Sequence, residues 1–311
     1  MASRTALGQW LYRATDSDIW WSFKSSATTV AAALATLFIV GMAFLAPLIA
    51  PHTPFDPGTL SLSDGLKPPV FVSGDGEWTF PLGTDDQGRD VLSSIMYGTR
   101  LSLIVGFASV IVAMLLGISL GLVSGYLGGA VDAVIMRIAD VQLTFPAILV
   151  ALLIDGVVRG LISVQKHDEV ATFVIIGAIG LSFWVQYART VRGSVLVEKN
   201  KEYVQAARVI GLSPLKIMVR HVLPNVTGPV LVIATINLGL AIITEATLSF
   251  LGVGLPSTQP SLGTLIRLGN ELLQSGEWWI TVFPGVTLAA LVLAVNLLGD
   301  WLRDALNPKL R

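Results

Sequence analysis

Residues 101–126 read LSLIVGFASVIVAMLLGISLGLVSGY. No Asp, Glu, Lys or Arg interrupts the run. It exceeds the roughly 20 residues a helix needs to cross a bilayer core. Backbone N–H and C=O groups in hydrocarbon have no water to pair with, so a single run of this kind must be helical. Five further apolar runs flank it, at 25–50, 135–158, 170–188, 228–252 and 279–302. The expected fold class is therefore all-α, a polytopic membrane protein with six transmembrane helices. The third run is the least regular, because Asp140, Pro146 and Asp155 interrupt it. The fourth is short. Composition agrees: 53% of the 311 residues are hydrophobic and 13% charged, where soluble domains carry about 25% charge.

The charged residues fall between the runs and assign an orientation. Segment 51–100 has only Lys67, Arg89 and Arg100 as cations. Segment 189–227 has Arg189, Arg192, Lys199, Lys201, Arg208, Lys216 and Arg220. Cytoplasmic loops collect Lys and Arg. Placing both termini in the cytoplasm puts fourteen of the 20 Lys and Arg inside. Trp20 and Trp21 then sit at the inner interface, and Trp278 and Trp279 at the outer one. The organisation follows: a cytoplasmic segment 1–24, a first transmembrane helix 25–50, an outer loop 51–97, a core 98–302 of five helices, and a cytoplasmic tail 303–311. Segment 1–24 is polar and the first run too long for a signal-peptide core, so no cleaved leader is expected. Trp10–Lys24 has the apolar weight and cations of an interfacial helix, and reads equally as a flexible tail.

Several chemistries are disfavoured. A net charge of −1 gives no bulk field for nucleic acid. Cysteine is absent, which removes disulfides and thiol chemistry. His52, His167 and His221 are isolated, so no metal-ligand spacing exists. Gly117-Ile118-Ser119-Leu120-Gly121 matches a serine-nucleophile signature, raising an intramembrane serine protease as a rival. The match sits inside an apolar run without a strand before it, and no histidine is placed to act as base. Gly117, Gly121, Gly125 and Gly129 recur every four residues, a strip on which another helix packs closely. Among ionisable residues near the runs, Asp140 belongs at the inner end. Asp155 belongs near the outer end, within reach of water, and with Glu245 is a candidate for the translocation path. Glu245 is the deepest, and would line a passage or pair across the bundle. A proton-coupled carrier is the rival within the membrane class.

Segment 202–225, EYVQAARVIGLSPLKIMVRHVLPN, is too apolar for an ordinary loop. Val204, Val209, Leu212, Leu215, Ile217, Met218 and Val219 would leave an apolar stripe that needs a partner. Ala206, Ala207 and Gly211 let another backbone approach. Pro214 breaks the helix or starts a second one. A short helix with one apolar stripe suits a groove on another protein.

The pattern Gln205-Ala206-Ala207, Gly211, Leu223-Pro224 resembles the EAA loop of ATP-binding-cassette (ABC) importer permeases. Its surroundings resemble the second permease of dipeptide, oligopeptide and nickel importers. PLGTDDQGRDVLSSIMYGTRLSL (81–103), EATLSFLGVGLP (245–256) and GDWLRDALNPKLR (299–311) carry the same resemblance. Gln205 departs from the Glu that the loop's name implies, with Glu202 one turn away, and His221 stands where Ile is common. The resemblance implies a type I importer permease fold in a bacterial inner membrane. It implies that Glu202, Gln205, Ala206, Ala207, Gly211, Leu212, Leu223 and Pro224, within loop 189–227, dock on a separate ATPase. It also implies a homologous, non-identical permease as companion, two ATPase subunits that bind ATP and Mg, and an outer substrate-binding protein. Pro81–Arg100 and Phe250–Leu268 would receive that protein, the latter as a short re-entrant helix. The chain has no G-x-x-x-x-G-K-[ST] phosphate loop, so any ATP hydrolysis would belong to another chain. Peptides are the leading substrate expectation.

Overall fold

A computed structural model describes residues 18–306, apart from 57, 59, 73–75, 162–163 and 257. The expected segment 1–24 lies outside it as far as residue 17, and the tail from residue 307. Eleven α-helices occur among the described residues, and no β-strand. Five are long and apolar enough to cross a membrane, six if one bent pair counts as a crossing.

Helix α1 (Asp18–Ser25) stacks Trp20 on Phe23, with Phe23 edge-on to Trp301. Ser26 then caps α2 (Ala27–Ile49) by accepting from the Thr29 amide at 3.2 Å. Only one side of α2, through Ala32, Ile39, Ala43 and Ala46, is buried. Leu34, Leu37, Phe38 and Leu48 point outward, as expected where the surrounding solvent is lipid.

The run that opens the sequence lies in α3 (Val91–Leu127), which begins ten residues before the apolar run. A compact turn explains the early start. Asp85 accepts from the Arg89 amide at 2.9 Å and from its Nε at 2.6 Å, and both side chains are buried. Asp90 caps the helix by accepting from the Ser93 amide at 2.9 Å. Gly83 and Gly88 supply the positive φ of +81° and +76° that this turn needs.

The expected third span is two helices. α4 (Gly129–Leu143) and α5 (Ala147–Leu161) meet at 97°. Pro146 cannot donate a backbone bond and disfavours helix in the residue before it. The chain therefore turns at 144–146, with the Thr144 amide reaching back to Val141 O at 3.1 Å. The fourth span is longer than expected. α6 (Val164–Glu198) continues ten residues beyond 188. Arg189 and Arg192 remain helical because α4 supplies their counter-charges. Arg189 pairs with Asp140, and Arg192 holds Asp132 through Nε at 2.5 Å and Nη2 at 2.6 Å.

Helices α3 and α6 form the most extensive interface in the molecule. A Cβ at Gly117 would collide with Tyr187 and with Trp184 O at 2.5 Å. One at Gly121 would lie 2.5 Å from Ala188 O, and one at Gly125 2.8 Å from Val195 Cβ. Gly129 does not continue this strip. It follows Gly128 past the end of α3, with φ +56° and nothing within 4 Å of a Cβ. Its role is the turn into α4 and not helix packing. Ser119, between the packed glycines, donates to Leu115 O at 2.7 Å.

After α6 come two short helices, α7 (Glu202–Val209) and α8 (Pro214–Ile217). A π-helical turn, Met218–Val222, leads into α9 (Leu223–Phe250). A short helix α10 (Leu262–Leu272) and the last crossing α11 (Trp279–Leu306) complete the order. Trp279 Nε1 donates to Thr84 O at 3.2 Å, fixing the start of α11 against the turn before α3.

Candidate functional site

Two constructions stand out, one at each end of α9. The first is an elbow built from α7, α8 and the π turn. Gly211 terminates α7: its φ of +81° is left-handed, and the Leu212 amide reaches back to Ala207 O at 3.1 Å. Pro214 then starts α8 at a position where a missing N–H does no harm. Val204, Ala207, Ile217, Met218 and Val222 turn inward and join the core of α3 and α6. Val209, Ile210 and Leu215 turn outward, with 87%, 73% and 67% of their surface exposed. The stripe expected from sequence thus divides into two faces. Ala207 lies on the inner one, against its own chain. Glu202, Gln205, Ala206, Gly211 and Pro224 are exposed, while Leu212 and Leu223 are half-buried against the core. Ile210 was not singled out by sequence, although the turn at Gly211 places it on the outer face.

Polar contacts hold the elbow to the bundle. Tyr203 donates to Glu198 at the end of α6, and Asn225 Nδ2 at the start of α9 donates to the Tyr203 hydroxyl at 3.0 Å. Burial, and then the neighbouring Glu198 carboxylate, push the Tyr203 phenol up to about 12. It therefore stays protonated through the neutral range. Lys199 donates to Gly125 O at 2.7 Å, and Arg208 lies 5.2 Å from the centre of the Tyr126 ring. Movement of the elbow must therefore be felt by α3, α6 and α9 together.

The second construction is a sealed joint around Glu245, which has no exposed surface. Its carboxylate accepts from Ser102 Oγ of α3 and Ser249 Oγ of α9, both at 2.8 Å. The Leu262 amide at the start of α10 donates to Ser102 Oγ at 3.3 Å. Of the two roles weighed for Glu245, the contacts describe the cross-bundle pairing. Asp155 is also buried, with Arg159 Nε 2.6 Å away on the next turn of α5. It does not reach water as the sequence suggested. Elbow and joint are separated by most of α9, roughly 33 Å at 1.5 Å per residue.

The fold is similar to a chain of the inward-facing MetNI methionine ABC transporter. The TM-score is 0.54 at 18% identity, over 69% of this chain and 96% of that one. At that identity the likeness sets the class of fold alone, a multi-helix membrane-spanning chain of the kind found in that transporter. Residues 117–311 match the family described as binding-protein-dependent transport system inner membrane component, and residues 17–69 match the N-terminal TM domain of oligopeptide transport permease C. The dipeptide transport system permease protein DppC of Haemophilus influenzae is 37% identical over 94% of this chain and 95% of its own. The di/tripeptide transport system permease protein DppC of Pseudomonas aeruginosa is 37% identical over 97% of this chain and 94% of its own. The chain belongs to the binding-protein-dependent transport system inner membrane component family, and is a multi-pass transport permease subunit.

Proposed function

We propose that this permease imports di- or oligopeptides by alternating access in a bacterial inner membrane, with both termini in the cytoplasm. The two-faced elbow at 202–224 carries the mechanism. Its inner face is welded to α3, α6 and α9, while Val209, Ile210 and Leu215 remain for a groove on a separate ATPase. A homologous, non-identical permease completes the path. Two ATPase subunits bind ATP and Mg, and a binding protein delivers substrate from outside. Closure of the ATPase dimer pushes the elbow, and α9 carries that motion toward the Glu245 joint as a rigid body. ATP shifts the equilibrium only through its different affinity for the two states. The peptide assignment rests on the DppC relatives.

The test is uptake of radiolabelled dialanine by cells that express the chain with its companion subunits and lack other peptide importers. Uptake that requires the binding protein, ceases on ATP depletion and survives a protonophore supports this reading. Uptake that survives ATP depletion and collapses with the protonophore would establish a proton-coupled carrier instead.

A further inference from the structure

Helix α3, Phe55 and the segment before α10 border an open pocket of about 350 Å³ that the mechanism above does not use. Phe55, Tyr97, Ile104, Gln259 and Pro260 line it around Arg100. Volumes from about 300 Å³ upward hold small ligands. Phe55 and Tyr97 meet edge to face at 5.9 Å and form an aromatic wall. Arg100 differs from other arginines in the bundle. Arg89 has Asp85, Arg159 has Asp155 and Arg192 has Asp132. Among the described residues Arg100 meets no carboxylate, and its Nε is buried without a hydrogen bond. A guanidinium presents a planar fork that matches an oxyanion through two parallel bonds. Left unpaired and partly out of water, it is an incomplete site.

We propose that Arg100 receives the carboxylate of a substrate entering from the outer face, with Phe55, Tyr97 and Pro260 covering its apolar body. This rests on the importer reading and adds the substrate chemistry at its outer mouth. The position also couples to the joint. Arg100 lies two residues before Ser102, which bonds Glu245 and the Leu262 amide. Gln259 and Pro260 run directly into Ser261, the cap of α10. A substrate held between Arg100 and Pro260 therefore bridges the two pieces that the Glu245 joint already ties together.

Because the chain has no cysteine, Gln259→Cys gives one thiol at the rim. In the complete importer in nanodiscs, that thiol should react about tenfold faster with an anionic than with a cationic methanethiosulfonate, the scale of one charge-assisted contact. Millimolar dialanine should protect it, and alanyl-alaninamide, which lacks the carboxylate, should not. Arg100→Gln should remove both preferences. If that variant fails to assemble, the Gln259→Cys protein with Arg100 intact decides alone. Protection by neither compound, or equally by both, overturns the site. So does a thiol shielded only in anionic-lipid discs, which would make a lipid phosphate the occupant, or one the companion permease hides from both reagents. Dialanine uptake is measured on the same preparation. Uptake without protection removes the Arg100 site and leaves the importer reading intact, whereas protection without uptake does the reverse.

Discussion

Leu215→Asp will leave the protein in the membrane at near wild-type abundance while abolishing ATP-driven uptake. In the isolated chain Leu215 is 67% exposed, so the new carboxylate meets water. Exposed substitutions of this kind usually change stability by no more than about 0.5 kcal/mol. In a docked groove the same carboxylate would be desolvated and unpaired. Such an uncompensated buried charge costs about 3–5 kcal/mol, which weakens docking by more than about a hundredfold. Co-purification of the ATPase should fall in parallel with uptake. Leu215→Met, which keeps the apolar volume, should retain both. Wild-type uptake by Leu215→Asp at normal abundance would remove the outer face of the elbow from the mechanism.

Gly121→Leu will deplete folded protein, in contrast to the previous variant. Even a Cβ there lies 2.5 Å from Ala188 O and 2.9 Å from Val191 Cβ. The first is backbone and cannot rotate away. Overpacking of a well-filled site costs about 1–3 kcal/mol, occasionally more, and here it strikes the largest helix interface in the molecule. Gly193→Ala supplies the control, because a Cβ at Gly193 meets nothing within 4 Å. It should be neutral or gain up to about 1 kcal/mol from helix propensity. Detergent-solubilised thermal stability and membrane abundance measure both variants. Equal stability for the two would mean that α3 and α6 do not pack as closely as described.

The long apolar runs were legible because hydrocarbon leaves the backbone so few choices. Length and charge alone located the bodies of α2, α3, α6, α9 and α11. Their ends were not legible in the same way. Hydropathy stops at charges, but Arg189 and Arg192 stay within α6 because Asp140 and Asp132 lie across from them. The signal was also weak at 91–100, where Asp90 and its capping bonds, not apolar character, set the start of α3. Pro146 marked an interruption in the third run, yet a single proline does not announce a 97° turn.

The elbow was legible as a segment and not as a surface. Its small residues, Pro214 and apolar content singled it out. The division between Val204, Ile217 and Met218 inside and Val209, Ile210 and Leu215 outside depends on the left-handed turn at Gly211 and the π turn after Ile217. A periodic reading runs through both. The four-residue glycine spacing likewise carried one member too many, since Gly129 keeps the period after the helix has ended. Glu245 was marked by its depth, but Ser102 lies 143 positions away. Nothing local to either residue names the other.

We place the elbow on the cytoplasmic face, gripped there by a separate ATPase. The most direct measurement is labelling of Ser213→Cys, an exposed position between α7 and α8 in a chain without cysteine. A membrane-impermeant maleimide should label it in inside-out vesicles stripped of the ATPase, lose that labelling when the ATPase is restored, and leave it untouched in intact spheroplasts. Labelling of intact spheroplasts from outside would contradict the account.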